Sequence, residues 1–124
     1  MTTAFWCILA AGLLPYAATL TAKIGGKEFN NADPRAWLAR QEGFRHRANA
    51  AQLNAFEAFP LFAAAVLVAA YLHAPQARLD MLALGFIGAR VAYLVFYLAN
   101  IAVLRSLAWL AGVVCVVGIF VAAA

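Results

Sequence analysis

Charge is what this sequence has least of. Only 11% of its 124 residues are Asp, Glu, Lys or Arg, against 67% that are hydrophobic, whereas a soluble domain carries roughly a quarter charged. That shortage excludes a water-soluble fold and leaves an integral membrane protein. Two stretches, Ala4 to Ala22 and Ser106 to Ala124, hold no charge at all. Cysteine is nearly absent: Cys7 and Cys115 fall in separate apolar runs, with neither metal-ligand nor redox spacing, so both are expected to be inert packing residues and no metal is expected. No basic segment precedes Ala4, and the run that starts there outlasts the apolar stretch of a secretory signal, so the first span is expected to stay in the mature protein. The short alternating segments of a barrel are missing too, which makes the spans helical. Basic residues are not interleaved with aromatics as in a soluble nucleic-acid module, so no nucleic acid is expected. No repeat or low-complexity linker interrupts the chain, and residues 1–124 read as one domain.

What the sequence does have is long apolar runs. Crossing a hydrocarbon core of ~30 Å takes roughly 20 helical residues, a length met by residues 4–22, 81–99 and 106–124. The remaining run, Ala58 to Leu72, would reach only about 22 Å at the helical rise. Its helix must begin earlier, over residues 48–72, and this draws Asn54 and Glu57 into the membrane. The expected fold class is therefore an all-α four-transmembrane-helix bundle with a loop over residues 23–47. Pro15 and Pro60 lie inside the first two spans and read as kinks rather than ends.

Lys23, Lys27, Arg35, Arg40, Arg45 and Arg47 sit in the first loop and Arg105 in the third, while the second loop holds only Arg78. By the positive-inside rule these loops are cytoplasmic and both termini face away from the cytoplasm. Within the first loop, Asp33 followed by Pro34 marks a helix start. That helix is expected to run on through Gly43 into the second span.

Two polar stripes descend from the cytoplasmic end. Arg47, Ala50, Asn54 and Glu57 recur at helical spacing in the second span, and Arg90, Tyr93, Tyr97 and Asn100 recur likewise in the third. A charge inside a span costs at least ~2.5 kcal/mol on the insertion scale, so these groups must face the bundle interior, an aqueous cleft or another subunit. Glu57 and Arg90 read equally as a structural ion pair and as parts of a site. Convergence on one membrane half favours a site. A small proton-coupled exporter and a non-catalytic structural or ligand-binding membrane protein are the rival classes.

The segment AAQLNAFEAFPLF, with Arg90, Tyr93, Tyr97 and a further arginine in the third-span region, resembles the membrane-associated proteins in eicosanoid and glutathione metabolism, as a bacterial-type member. The resemblance spans nearly the whole chain. It implies a homotrimer in a membrane such as the bacterial inner membrane, with glutathione bound between subunits near the cytoplasmic face. It further implies a glutathione transferase or peroxidase activity on a small lipophilic substrate arriving through the membrane lipids. Arg47, Gln52, Asn54, Glu57, Arg90, Tyr93 and Tyr97 match positions that hold the tripeptide, and Arg105 is the catalytic candidate that stabilises its thiolate. The chain departs from the pattern at Ala50, where the family has arginine, and at Ala58, where the leukotriene branch has tyrosine.

Overall fold

The computed structural model describes residues 1–124 as five helices: α1 (Thr3–Lys23), α2 (Pro34–Ala39), α3 (Gly43–Tyr71), α4 (Gln76–Leu98) and α5 (Ala102–Ala123). All but α2 are long and apolar enough to cross a membrane. At ~1.5 Å per residue, α1, α4 and α5 run to about 31–35 Å, which matches the hydrocarbon core, whereas α3 reaches about 43 Å and its first turns extend beyond it. The helices pass unbroken through Pro15 and Pro60.

Small residues decide the packing. The buried stripe of α1 is Ala4, Cys7, Ala11, Pro15, Ala18 and Ala22, a helical repeat with no large side chain. It lies on a facing stripe of α3 that includes Ala48, Ala51, Ala55, Ala65 and Ala69. Where lipid is as apolar as leucine, close backbone approach of this kind drives helix association. The second tight pair is α4 with α5, and the stacked rings of Phe62 and Phe86, 4.0 Å apart, join α3 to α4 at the centre.

Several helix ends differ from the sequence expectation. The helix that starts at Asp33–Pro34 does form, with the Asp33 carboxylate accepting from the Ala36 amide, but it does not continue into the second span. It stops at Ala39, and α3 restarts at Gly43, whose φ of +62° suits glycine and breaks the helical path. Burial of Trp37 and Leu38 against Ala22 and Ala48 folds this short helix back onto the bundle, and the Trp37 indole donates to the Lys27 carbonyl. The third span begins at Gln76 rather than residue 81, directly after Pro75. Arg78 is therefore helical, and Asp80 reaches across to accept from the Ala4 amide at 2.8 Å, capping the open start of α1 from another helix.

The fourth span begins at Ala102, so Arg105 lies inside α5 and not in a loop. The connection is short because Asn100 takes a left-handed φ of +60° and the Ile101 amide donates back to the Phe96 carbonyl. That is a Schellman turn, which asparagine tolerates well. It delivers Arg105 next to the end of α4.

Candidate functional site

Polar residues form a chain of contacts that runs from α3 through α4 to α5. Arg90 is 3% exposed. Its Nη2 donates to Asn54 Oδ1 at 2.7 Å, and Asn54 Nδ2 in turn donates to Glu57 Oε2 at a long 3.5 Å. Of the two readings of Glu57 and Arg90, the direct ion pair does not form, and an amide relay through Asn54, one turn before Glu57 on α3, joins them instead. The Arg90 guanidinium also lies over the Tyr93 ring at 4.3 Å. Tyr93 meets Tyr97 edge to face at 5.6 Å, and Arg105 covers the Tyr97 ring at 4.5 Å. Six of the eight residues singled out in the sequence, Asn54, Glu57, Arg90, Tyr93, Tyr97 and Arg105, are therefore brought together.

The other two point elsewhere within the chain. Arg47 shares the spacing of Asn54 and Glu57, yet its Nη2 donates to the Leu98 carbonyl at 3.1 Å, where the end of α4 leaves carbonyls without helical partners. Its Nε is buried and meets no acceptor. Gln52 turns to α1, where its side-chain amide and the Pro15 carbonyl both lie within hydrogen-bond reach of the one Thr19 hydroxyl. Arg45, which the stripes did not include, donates to the Ala22 and Ile24 carbonyls at 2.7 and 2.8 Å and closes the end of α1.

A cavity of about 350 Å³ opens beside this chain, between α3, α4 and α5. Asn54, Glu57 and Arg90 supply its polar side, and Leu61, Phe86 and Trp109 are among its apolar walls. A Cβ on Gly112 would stand 3.7 Å from both Arg90 and Phe86, so this glycine keeps α5 close without being sterically required. Trp109 went unnoticed in the sequence, although it stands one turn beyond Arg105 on the same helix, the spacing that places two residues on one face. Glu57 is exposed on the outside of α3, among exposed Phe56, Pro60 and Leu61. No group of three or more His, Cys, Asp or Glu residues is arranged to hold a metal. Both cysteines are free.

Four membrane-length helices, with a relay of amide, guanidinium and phenol groups across α3, α4 and α5 beside a half-open cavity of mixed polar and apolar lining, define a polytopic helical membrane protein. The chain belongs to the MAPEG family, whose sequence profile matches residues 3–124. No curated protein and no solved structure matches it. Family membership makes it an integral membrane four-helix bundle of the glutathione and eicosanoid metabolism family.

Proposed function

We propose that the protein is a membrane-bound glutathione-dependent transferase or peroxidase for small lipophilic electrophiles, working as a homotrimer with glutathione between subunits near the cytoplasmic face. The observation that carries this reading is Glu57. A carboxylate exposed on an apolar helix face, at span depth, has to be covered by something polar. A second copy of the chain bringing an ammonium-bearing ligand meets that need.

The chemistry of the remaining groups supports the same ligand. Glutathione has two carboxylates, and Arg90 keeps donors to spare beyond the one given to Asn54. Its thiol has an ordinary pKa near ~8.5, so only a few per cent is thiolate at neutral pH unless a cation assists. Arg105, beside Tyr97 at the first turn of α5, is that cation. In this reading Arg47 and Gln52 serve as supports, holding α3 against α4 and α1. The basic rim of residues 23–47 faces the cytoplasm, and the membrane is a bacterial inner membrane.

The test is turnover. Protein purified in mild detergent and returned to lipid should conjugate glutathione to chlorodinitrobenzene, or reduce a lipid hydroperoxide with it, and Glu57→Gln should lose most of that activity. Absence of both reactions in a folded, glutathione-free and glutathione-loaded preparation would sink the reading.

A further inference from the structure

The strongly charged surface of the molecule lies between the first two spans. Residues 23–47 hold six of the nine basic side chains against the three carboxylates of Glu28, Asp33 and Glu42, a net +3, whereas beyond the other membrane face Arg78 is balanced by Asp80. Two of the six guanidiniums are committed to the fold, since Arg45 and Arg47 donate to carbonyls at the ends of α1 and α4. Lys27, Arg35 and Arg40 stay exposed. Among the carboxylates, Asp33 is turned to its own helix, where it accepts from the Ala36 amide.

Height decides which partner this surface meets. With a length of about 31 Å, α1 spans a hydrocarbon core of ~30 Å and ends at Lys23, so Ala22 lies at the hydrocarbon edge. Trp37 and Leu38 are buried against Ala22 and Ala48, which pins α2 to that level. The chain before α2 is wrapped on the same indole: Trp37 donates to the Lys27 carbonyl at 2.9 Å, and a Cβ on Gly26 would stand 2.5 Å from the ring, so glycine alone fits there. The headgroup layer is about 5–8 Å deep on each side, and a helix about 10 Å across fills it. At 3.6 residues per turn, Arg35 and Arg40 flank the buried Trp37–Leu38 stripe, one on each side. Ile24, Phe29 and Phe44 are exposed hydrophobics of the same segment. Lys23 covers the Phe29 ring at 5.2 Å and Arg45 the Phe44 ring at 4.8 Å, pairings of charge with apolar ring that suit the boundary between headgroups and acyl chains.

We infer that residues 24–44 form a seat for anionic phospholipid headgroups, in which Lys27, Arg35 and Arg40 meet the lipid charge and Ile24, Phe29 and Phe44 rest on the upper acyl chains. A soluble acidic partner would have to reach cations held within the headgroup layer, where lipid is already in contact. Each basic residue at an anionic membrane surface is worth about a five-fold change in binding. The inference is independent of the glutathione reading, because none of these six residues is among those proposed to hold the tripeptide.

Lipid retention tests it. Protein purified in mild detergent is titrated with phosphatidylglycerol or with phosphatidylcholine, which carries the same phosphate neutralised by choline, and bound lipid is counted by native mass spectrometry. The parent should retain phosphatidylglycerol about ten-fold better or more, and the variant with Lys27→Gln, Arg35→Gln and Arg40→Gln together should lose at least about ten-fold of that retention. Arg78→Gln, at the other membrane face, should change it less than about two-fold. Equal retention of the two lipids by the parent, or unchanged retention in the triple variant, overturns the inference. Hydrogen exchange in lipid nanodiscs checks the location without relying on detergent. Amides of residues 24–42 in the parent should exchange more slowly in phosphatidylglycerol than in phosphatidylcholine, and the triple variant should show no such difference. The same exchange in both lipids for the parent overturns the inference as well.

Discussion

Arg90 has a neutral amide for a partner in place of a carboxylate, and the magnitudes explain why this is tolerable. Placing arginine at span depth costs about 2.5–3.5 kcal/mol on the insertion scale. A hydrogen bond to a charged group returns about 1.5–3 kcal/mol, and a desolvated cation–π contact such as that with Tyr93 adds about 2 kcal/mol. The guanidinium is thus held without consuming the charge of Glu57, which stays available for a ligand. Arg105 has a different position, at the first turn of α5 and half open. Replacing it by Ala should raise the apparent pKa of the bound thiol by about one to two units and cut turnover about 10- to 100-fold at neutral pH, with a smaller effect on binding. An ultraviolet titration of the bound thiolate checks this, and an unshifted titration would pass the role to Arg90 or a tyrosine hydroxyl. Arg47, Asn54, Glu57, Arg90, Tyr93 and Tyr97 were legible in the sequence from their helical spacing, whereas Gln52 and the role of Arg105 came from the family resemblance alone. The pairing of Arg90 was not legible, because whether Asn54 or Glu57 meets it depends on how α3 and α4 are rotated against each other, and spacing along one helix carries no such information.

At the scale of elements, three of the four spans could be read from apolar length alone, the second needed an earlier start than its apolar run, and the helix start at Asp33–Pro34 was legible because its capping chemistry is local. The ends were harder. Gln76 to Asp80 is polar and reads as loop, yet it is the first turn of α4 because Asp80 finds its partner in α1 rather than in water. Gly43 reads as a weak point in one continuous helix, and only burial of Trp37 against the bundle turns it into a break. The Asp80 cap makes a prediction of its own. It joins the start of α4 to the start of α1 through one carboxylate oxygen that also accepts from Gln76 Nε2 at 2.8 Å. Asp80→Ala should cost about 0.5–2 kcal/mol, as for loss of other helix caps, and lower the thermal unfolding midpoint in detergent without changing glutathione affinity. A variant with the parent's midpoint would mean that water or lipid headgroups replace the cap at no cost.

For the whole molecule, the conflict lies between the apolar setting of a bilayer and one exposed carboxylate. The charged stripe of the chain reaches the surface at Glu57, and the outward face of α3 around it is otherwise apolar. An assembly that covers this face resolves the conflict. On the proposed homotrimer, whose count of three comes from the family resemblance, native mass spectrometry in mild detergent should find three copies, and a monomer under conditions that keep other membrane oligomers intact would contradict it. The proposed function stands or falls on whether the exposed Glu57 carboxylate receives the ammonium of glutathione. The direct measurement is equilibrium binding of glutathione to the purified oligomer in lipid nanodiscs, parent against Glu57→Gln, with the mass of each assembly recorded alongside. The parent should bind saturably and Glu57→Gln at least about ten-fold more weakly, equivalent to ~1.4 kcal/mol, with the oligomer intact in both. Equal affinity in the two proteins, or an oligomer that falls apart in Glu57→Gln while the surviving sites bind as before, would contradict it and make Glu57 a residue of assembly alone.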